Sequence, residues 1–276
     1  MIKKMLRLCI FCGLLTLSTF PELLAQNEST PIMPAAQPPR IYVGPIVGFN
    51  QNFHSGGFTS FVADVNCPNF RSGNATGFYV GGSFEYLLGD PEDARSSILA
   101  RLTYDTRPAS FEEEDTEYPV LVVTPEDPDG TVIFPVVNHS AEIDYNMINL
   151  DIMYKLMVGN TRVGIMVGPA VGMVMDANVQ QKFNLVSPLE AQFKPDETTD
   201  FTYENDFRTI VIRDGEVPDA AGIRVGVKIG ALYELSLSRF IVVPHVIYDF
   251  GLTKVTTNED WRVNAFQAGV DVRFAL

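Results

Sequence analysis

Cysteine, tryptophan and histidine are scarce in this 276-residue chain, at three, one and three residues. Cys9 and Cys12 lie in an apolar N-terminal stretch and Cys67 stands alone. Once that stretch is removed, neither an internal disulfide nor a cysteine metal cluster can form. Positive charge is short as well. Twenty Lys and Arg against 34 Asp and Glu leave a formal net charge of −14, the reverse of the basic footprint that nucleic-acid binding requires. After residue 25 no stretch is long and apolar enough for a transmembrane helix, and no helix-period run competes with the two-residue alternation. Membrane residence would therefore demand a closed β-barrel.

The first residues point to export. Lys3, Lys4 and Arg7 precede an apolar run from Leu8 to Phe20, and Ala25 offers a small residue before a cut at Gln26. Charge, apolar segment and small residue in that order make a secretory signal over residues 1–25. The apolar run is about 13 residues, short of the roughly 20 that span a bilayer as a helix. Residues 26–39, with Pro31, Pro34, Pro38 and Pro39, read as a flexible periplasmic leader. Residues 40–276 form the remaining domain.

That domain holds eight segments with two-residue alternation, the mark of strands whose faces meet different surroundings. They run from Arg40 to Phe53, Gly77 to Leu88, Ser97 to Asp105, Asp144 to Met157, Arg162 to Asp176, Gly222 to Leu235, Phe240 to Phe250 and Asn264 to Leu276. Short links, 89–96, 158–161 and 236–239, alternate with long ones at 54–76, 106–143, 177–221 and 251–263. The fold expected is all-β: an eight-stranded antiparallel up-and-down transmembrane β-barrel with long extracellular loops, short turns and both chain ends on the periplasmic side.

The sense of alternation separates a membrane barrel from a soluble one. One face stays apolar over five to seven alternate residues in the later strands, long enough to cross a bilayer when tilted. Aromatics gather at its ends. Tyr86, Tyr154, Tyr233, Phe240 and Phe274 mark the short-turn level, and Tyr104, Tyr248 and Phe250 the long-loop level. The other face must then line the lumen. It carries Arg101, Lys155, Arg224, Lys228 and Arg273 with Glu85, Asp105, Asp151, Glu234, Asp249 and Asp271, plus His245. So many charges in a narrow space must neutralise one another, and the glycines on that face make room for them. A salt-bridged plug is expected, with a narrow porin or small-solute channel as the alternative.

The segments Ile41–Phe49 (IYVGPIVGF), Gly77–Leu88 (GFYVGGSFEYLL), Gly222–Leu235 and Phe266–Leu276 (FQAGVDVRFAL) together resemble the small outer-membrane β-barrel proteins of Bacteroidota-type Gram-negative bacteria, including porin-like and PorT-like members. The resemblance covers about residues 40 to 276 and implies architecture rather than activity. It implies residence in the cell outer membrane, with lipid and lipopolysaccharide as surroundings. The last strand resembles the signal read by the barrel-assembly machinery, with Phe274 two residues before Leu276. Val43–Gly48 (VGPIVG) also echoes Val167–Gly172 (VGPAVG), which fits half-barrel duplication or equal packing demands. Pro45, Pro169 and Pro244 are expected at bulges or strained ladder positions.

Catalytic readings are thin. His54-Ser55 and His139-Ser140, with Glu142 or Asp144 as acid, are the available nucleophile and base pairs, and no enzyme is expected. Long loops are acidic, with Glu112-Glu113-Glu114-Asp115-Thr116-Glu117, Glu126-Asp127-Pro128-Asp129-Gly130, and Asp196, Glu197, Asp200, Glu204 and Asp206. Asp127–Gly130 is only a fragment of a calcium loop, so no metal or cofactor is expected. The apolar stretches 120–123 and 131–137 suggest a hairpin rising above the membrane, usable for binding a surface partner.

Overall fold

A computed structural model describes residues 38–58, 70–115, 119–125, 127–195, 201–237 and 240–276. The expected signal, the leader up to residue 37 and Cys67 lie outside them, as do Glu117, Glu126, Asp196, Glu197 and Asp200.

The strands are β1 (Ile41–Phe58), β2 (Phe70–Leu88), β3 (Ser96–Thr106), β4 (Ala109–Asp115), β5 (Val120–Val123), β6 (Thr131–Ile133), β7 (Val136–Met157) and β8 (Val163–Ser187). They continue with β9 (Gln192–Phe193), β10 (Thr202–Glu204), β11 (Thr209–Glu216), β12 (Ile223–Tyr233), β13 (Leu235–Leu237), β14 (Phe240–Gly251) and β15 (Arg262–Ala275). Every pairing is antiparallel. The order β8-β12-β14-β15-β1-β2-β3-β7 returns to β8, which closes a ring of eight strands. Closure leaves no backbone edge within the ring.

The outward faces carry the apolar residues. Along β15, Phe266, Ala268, Val270, Val272 and Phe274 point out, while Ala265, Gln267, Gly269, Asp271 and Arg273 point in. Phe266 to Phe274 measures about 27 Å along the strand at 3.4 Å per residue. Cross-strand register aligns the aromatics. Tyr86, Ile98 and Tyr154 lie at one level, and Val43, Phe274 and Phe240 at a neighbouring one. At the other end Phe49 faces Phe78, and Tyr104 pairs with Ile148. Tyr233 and Phe250 are also exposed, and Tyr248, half-buried, lies against Phe250 with centroids 4.4 Å apart and the rings tilted by 60°.

The strands run well past the expected boundaries at the far end. Much of the expected links 54–76, 106–143 and 177–221 is sheet: β1 reaches Phe58, β2 starts at Phe70, and β7 and β8 extend to Val136 and Ser187. Beyond the belt the alternation keeps its phase in β1 and β7, shifts by one residue in β8 at the extra residue opposite Asn146/Met147, and reverses in chemistry. Outward positions become polar, with Gln51, Asn74, Thr76, Ser110, Glu112, Glu142 and Asp144, while inward ones become apolar. Phe70, Ala109, Phe111, Ala141, Ile143, Tyr145, Val179, Trp261 and Val263 form one buried cluster. Water rather than lipid surrounds this level, so the apolar side must turn inward. That reversal hides extended strands from a search for apolar outward faces. A second cluster, around Val120, Val122, Val137, Phe183, Leu185 and Phe193, lies under the small sheet β6-β5-β9.

Of the two positions expected for the prolines, bulges and strained ladder positions, the pairing shows ladder gaps without bulges at Pro45 and Pro169. Register shifts occur at Ser55/Phe58, Asn146/Met147, Val136/Val137 and Val211/Arg213, and none at a proline. Pro45 pairs with Gly82 and Pro169 with Val227, while the pairing recorded on their other sides skips them. A residue without an N–H can serve one neighbour and leave a gap toward the other. The echoed Gly-Pro pairs therefore create the same local break in two strands.

Trp261 is fully buried, touches Phe111 edge-on at 6.3 Å and donates its indole N–H to His54 Nδ1 at 3.1 Å. Replacing it with Ala is expected to cost about 3–5 kcal/mol, read as a lower urea midpoint for loss of the heat-modifiable gel band that marks a folded barrel.

Candidate functional site

Inside the belt the strands project their polar faces into one narrow space. Eight strands leave room for side chains alone, and the contacts fall into three groups along the axis.

Nearest the short turns, Glu85 accepts from Arg273, Lys155 and Ser97, all buried. Lys155 also reaches Glu234 at 2.5 Å, and Glu234 is partly exposed at the mouth. Arg273 holds Asp271 at 2.7 Å, whose other oxygen accepts from Ser83 at 2.6 Å. Midway, Lys228 pairs with Asp151 at 2.8 Å and lies 3.8 Å from Asp249. Tyr79 and His245 Nε2 share a hydrogen bond of 2.8 Å. A Cβ at Gly48 or Gly269 would collide with the Tyr79 hydroxyl, so those two glycines make the space that the ring fills.

Toward the far end, Asp249 accepts from Arg224 at 2.8 Å and from Arg107 at 2.5 Å. Arg107 also holds Asp105 at 2.8 Å, and Asn50 donates to the other Asp105 oxygen at 2.6 Å. Directly above, His54 Nε2 donates to the Arg107 carbonyl at 3.1 Å while its Nδ1 takes the Trp261 proton. The ion network thus ends against the aromatic cap.

Glu85, Arg101, Asp151, Lys155, Arg224, Lys228, Glu234, His245, Asp249, Asp271 and Arg273 all lie on this inner face. Arg101 stands apart from the ion pairs. It is buried, its Nη2 contacts Met166 Sδ at 3.7 Å, and no carboxylate lies within ion-pair distance among the described residues. Beside the polar groups sits an apolar patch of Leu99, Met153, Met166, Leu232, Val243 and Ile247.

Arg107 was not expected on this face because the expected strand ended at Asp105, whereas Arg107 lies in the break between β3 and β4. The signal was present: Arg107 continues the same alternate face as Arg101, Thr103 and Asp105. With it, the described inner face balances six cations against six carboxylates. Asn50, Asn52, Asn149 and Gln267 add neutral donors and acceptors that alternation alone does not distinguish from solvated residues.

The histidine–serine pairs do not assemble. Adjacent strand residues face opposite sides, so Ser55 and Ser140 point away from His54 and His139. Both His54 nitrogens are engaged within the cap, and His139 stacks on Phe183 with centroids 4.5 Å apart. The described acidic residues form no cluster of three or more metal-ligating groups.

A closed ring, an apolar belt between aromatic levels and an inward charge network together decide the architecture. The chain is a membrane-spanning β-barrel.

No family model matches it, and no curated protein does. Among solved structures, this barrel is similar to Ail, the attachment invasion locus protein of Yersinia pestis, in complex with the heparin analogue sucrose octasulfate. Identity is 10%, coverage 85% of this chain and 99% of that one, and the TM-score 0.33. Neisserial surface protein A shares 14% identity over 85% and 99% of the two chains, with a TM-score of 0.34. The outer membrane protease OmpT from Escherichia coli shares 9% over 87% and 97%, with a TM-score of 0.32. Likenesses this loose assign no function to this barrel, whose fold rests on its own strand pairing.

Replacing Arg107 with Met leaves Asp105 buried without a cation, and the expected loss is about 3–5 kcal/mol. Changing Asp105 to Leu in the same chain removes the stranded charge and is expected to recover part of it. Urea unfolding of both variants in detergent micelles checks the pair.

Proposed function

We propose that this protein is a non-enzymatic, integral outer-membrane barrel with a plugged lumen, whose role is exercised by the part that stands above the membrane. The observation that carries this reading is the filled interior. Six cations and six carboxylates occupy the width of the barrel, and the buried Trp261, Phe111 and Tyr145 cluster closes its far end. An ion entering from the short-turn side would have to part several buried pairs, each expensive to break.

The assignment to the outer membrane is supported by the closed barrel form and by the signal-like N-terminus. Within it, the Bacteroidota-type porin-like or PorT-like resemblance remains the finer family reading, carried by the strand motifs quoted above. Lipid and lipopolysaccharide surround the belt on this reading, and the barrel-assembly machinery inserts it. The raised sheet β6-β5-β9 leaves Leu121 and Val132 exposed, with Phe134 exposed just after β6, which supports a surface-interaction role.

Planar-bilayer recording of the refolded protein tests the plug. A flat baseline is expected, and steady ion-sized steps would instead establish a narrow channel.

A further inference from the structure

We propose that the outer wall formed by β1, β2, β3 and β7 holds one amphiphile in a two-part furrow, its head at the far interface and its chain at mid-belt. The head carries amine or hydroxyl donors and no net negative charge. This rests on the membrane reading above and adds a ligand that a plain lipid-facing wall would not select.

The upper part is a groove of about 440 Å³ where the outward surface changes from apolar to polar. Phe49 and Phe78 form its lower wall, and Phe49 is 69% exposed. Thr76, Thr106, Asn146 and Asp144 form its upper wall. The groove exists because the sheet breaks between β3 and β4. There Arg107 turns into the lumen, and the Thr106 hydroxyl replaces a ladder partner, accepting from the Phe78 N–H at 2.9 Å and donating to its carbonyl at 3.2 Å. No lysine or arginine lines the groove. Glu142 shares the outward face of Asp144, and Asp176 lies across from Asn146, both exposed. An anionic head is therefore repelled, and a donor-rich or cationic head is favoured.

The lower part is a separate hollow of about 410 Å³ walled by Phe84, Leu102 and Leu150. Its centre is Gly82, which faces lipid in a row otherwise made of Phe78, Val80, Phe84 and Tyr86. A Cβ at Gly82 would meet only the Gly44 carbonyl at 3.8 Å, so the site is open space rather than a tight contact. Phe78 and Gly82 share one face of β2, about 14 Å apart along the strand. A chain descending from the groove past Val80 enters the hollow. Hydrocarbon is the only occupant that mid-belt depth allows, while the interface above selects a polar head.

Tryptophan quenching by brominated lipids tests this. A reporter Leu102→Trp sits at the hollow, and Ile229→Trp, on β12 and 52% exposed, serves as control. The native Trp261 is buried in the cap. In phosphatidylcholine vesicles doped with brominated phosphatidylethanolamine or brominated phosphatidylglycerol, both reporters are expected to be quenched. At Leu102→Trp alone the amine-headed lipid should be favoured roughly threefold, as a surface ion pair gives. Adding either Asp144→Asn or Gly82→Leu should erase that preference, and the heat-modifiable gel shift verifies that each variant has folded. Equal quenching by both lipids at Leu102→Trp, or a preference that survives both substitutions, overturns the furrow while leaving the membrane reading intact. Absence of quenching at both reporters overturns both.

Discussion

A β-sheet in hydrocarbon must close, because no water is present to satisfy an open edge. With eight strands, closure fixes the width of the interior, and that width admits side chains and little else. Every inward residue of the belt is then buried whether its chemistry suits burial or not. The polar alternation that keeps apolar residues toward lipid thus forces charge into a confined space. Mutual neutralisation is the condition for the fold to exist. Arg107, Arg224 and Lys228 around Asp249, and Arg273 and Lys155 around Glu85, meet it.

The same strands face the opposite demand a few residues farther on. Above the belt the outside is water, so the inward face can be apolar, and Phe111, Tyr145 and Trp261 gather there. One period of two therefore serves two cores of opposite chemistry, joined where His54 links the Arg107 carbonyl to the Trp261 indole. The apolar cap and the ion network each cover an end of the other. Neither would be dry alone.

Most of the ring was legible from alternation. All eight strands and their antiparallel order lay in the pattern, since lipid on one face imposes a strong and regular contrast. The strand extensions were not. From Gln51 and Thr76 upward the outward residues turn polar, and a reading tuned to lipid-facing side chains stops there. Arg107 was lost for the same reason, two residues beyond the expected strand end at Asp105 and in the break between β3 and β4. Which cation meets which carboxylate depends on register between strands distant in sequence, as for Glu85 with Arg273, and no single-chain pattern encodes that. The prolines were expected at bulges or strained ladder positions, and Pro45 and Pro169 stand at ladder gaps without a register shift. Their missing N–H was absorbed as a gap toward one neighbour.

Cap and plug alike depend on where the outer surface passes from lipid to water. Spin labels placed one at a time along outward positions of β15 and β7 measure this through their accessibility to oxygen and to a water-soluble nickel chelate. Labels at Val270 and Leu150 should favour oxygen, and labels at Arg262 and Glu142 should favour nickel, with the crossover just beyond Phe266 and Ile148. Nickel access throughout Val270 and Leu150 would contradict the membrane-spanning belt and, with it, the reversal of chemistry on which the cap and the plug rest.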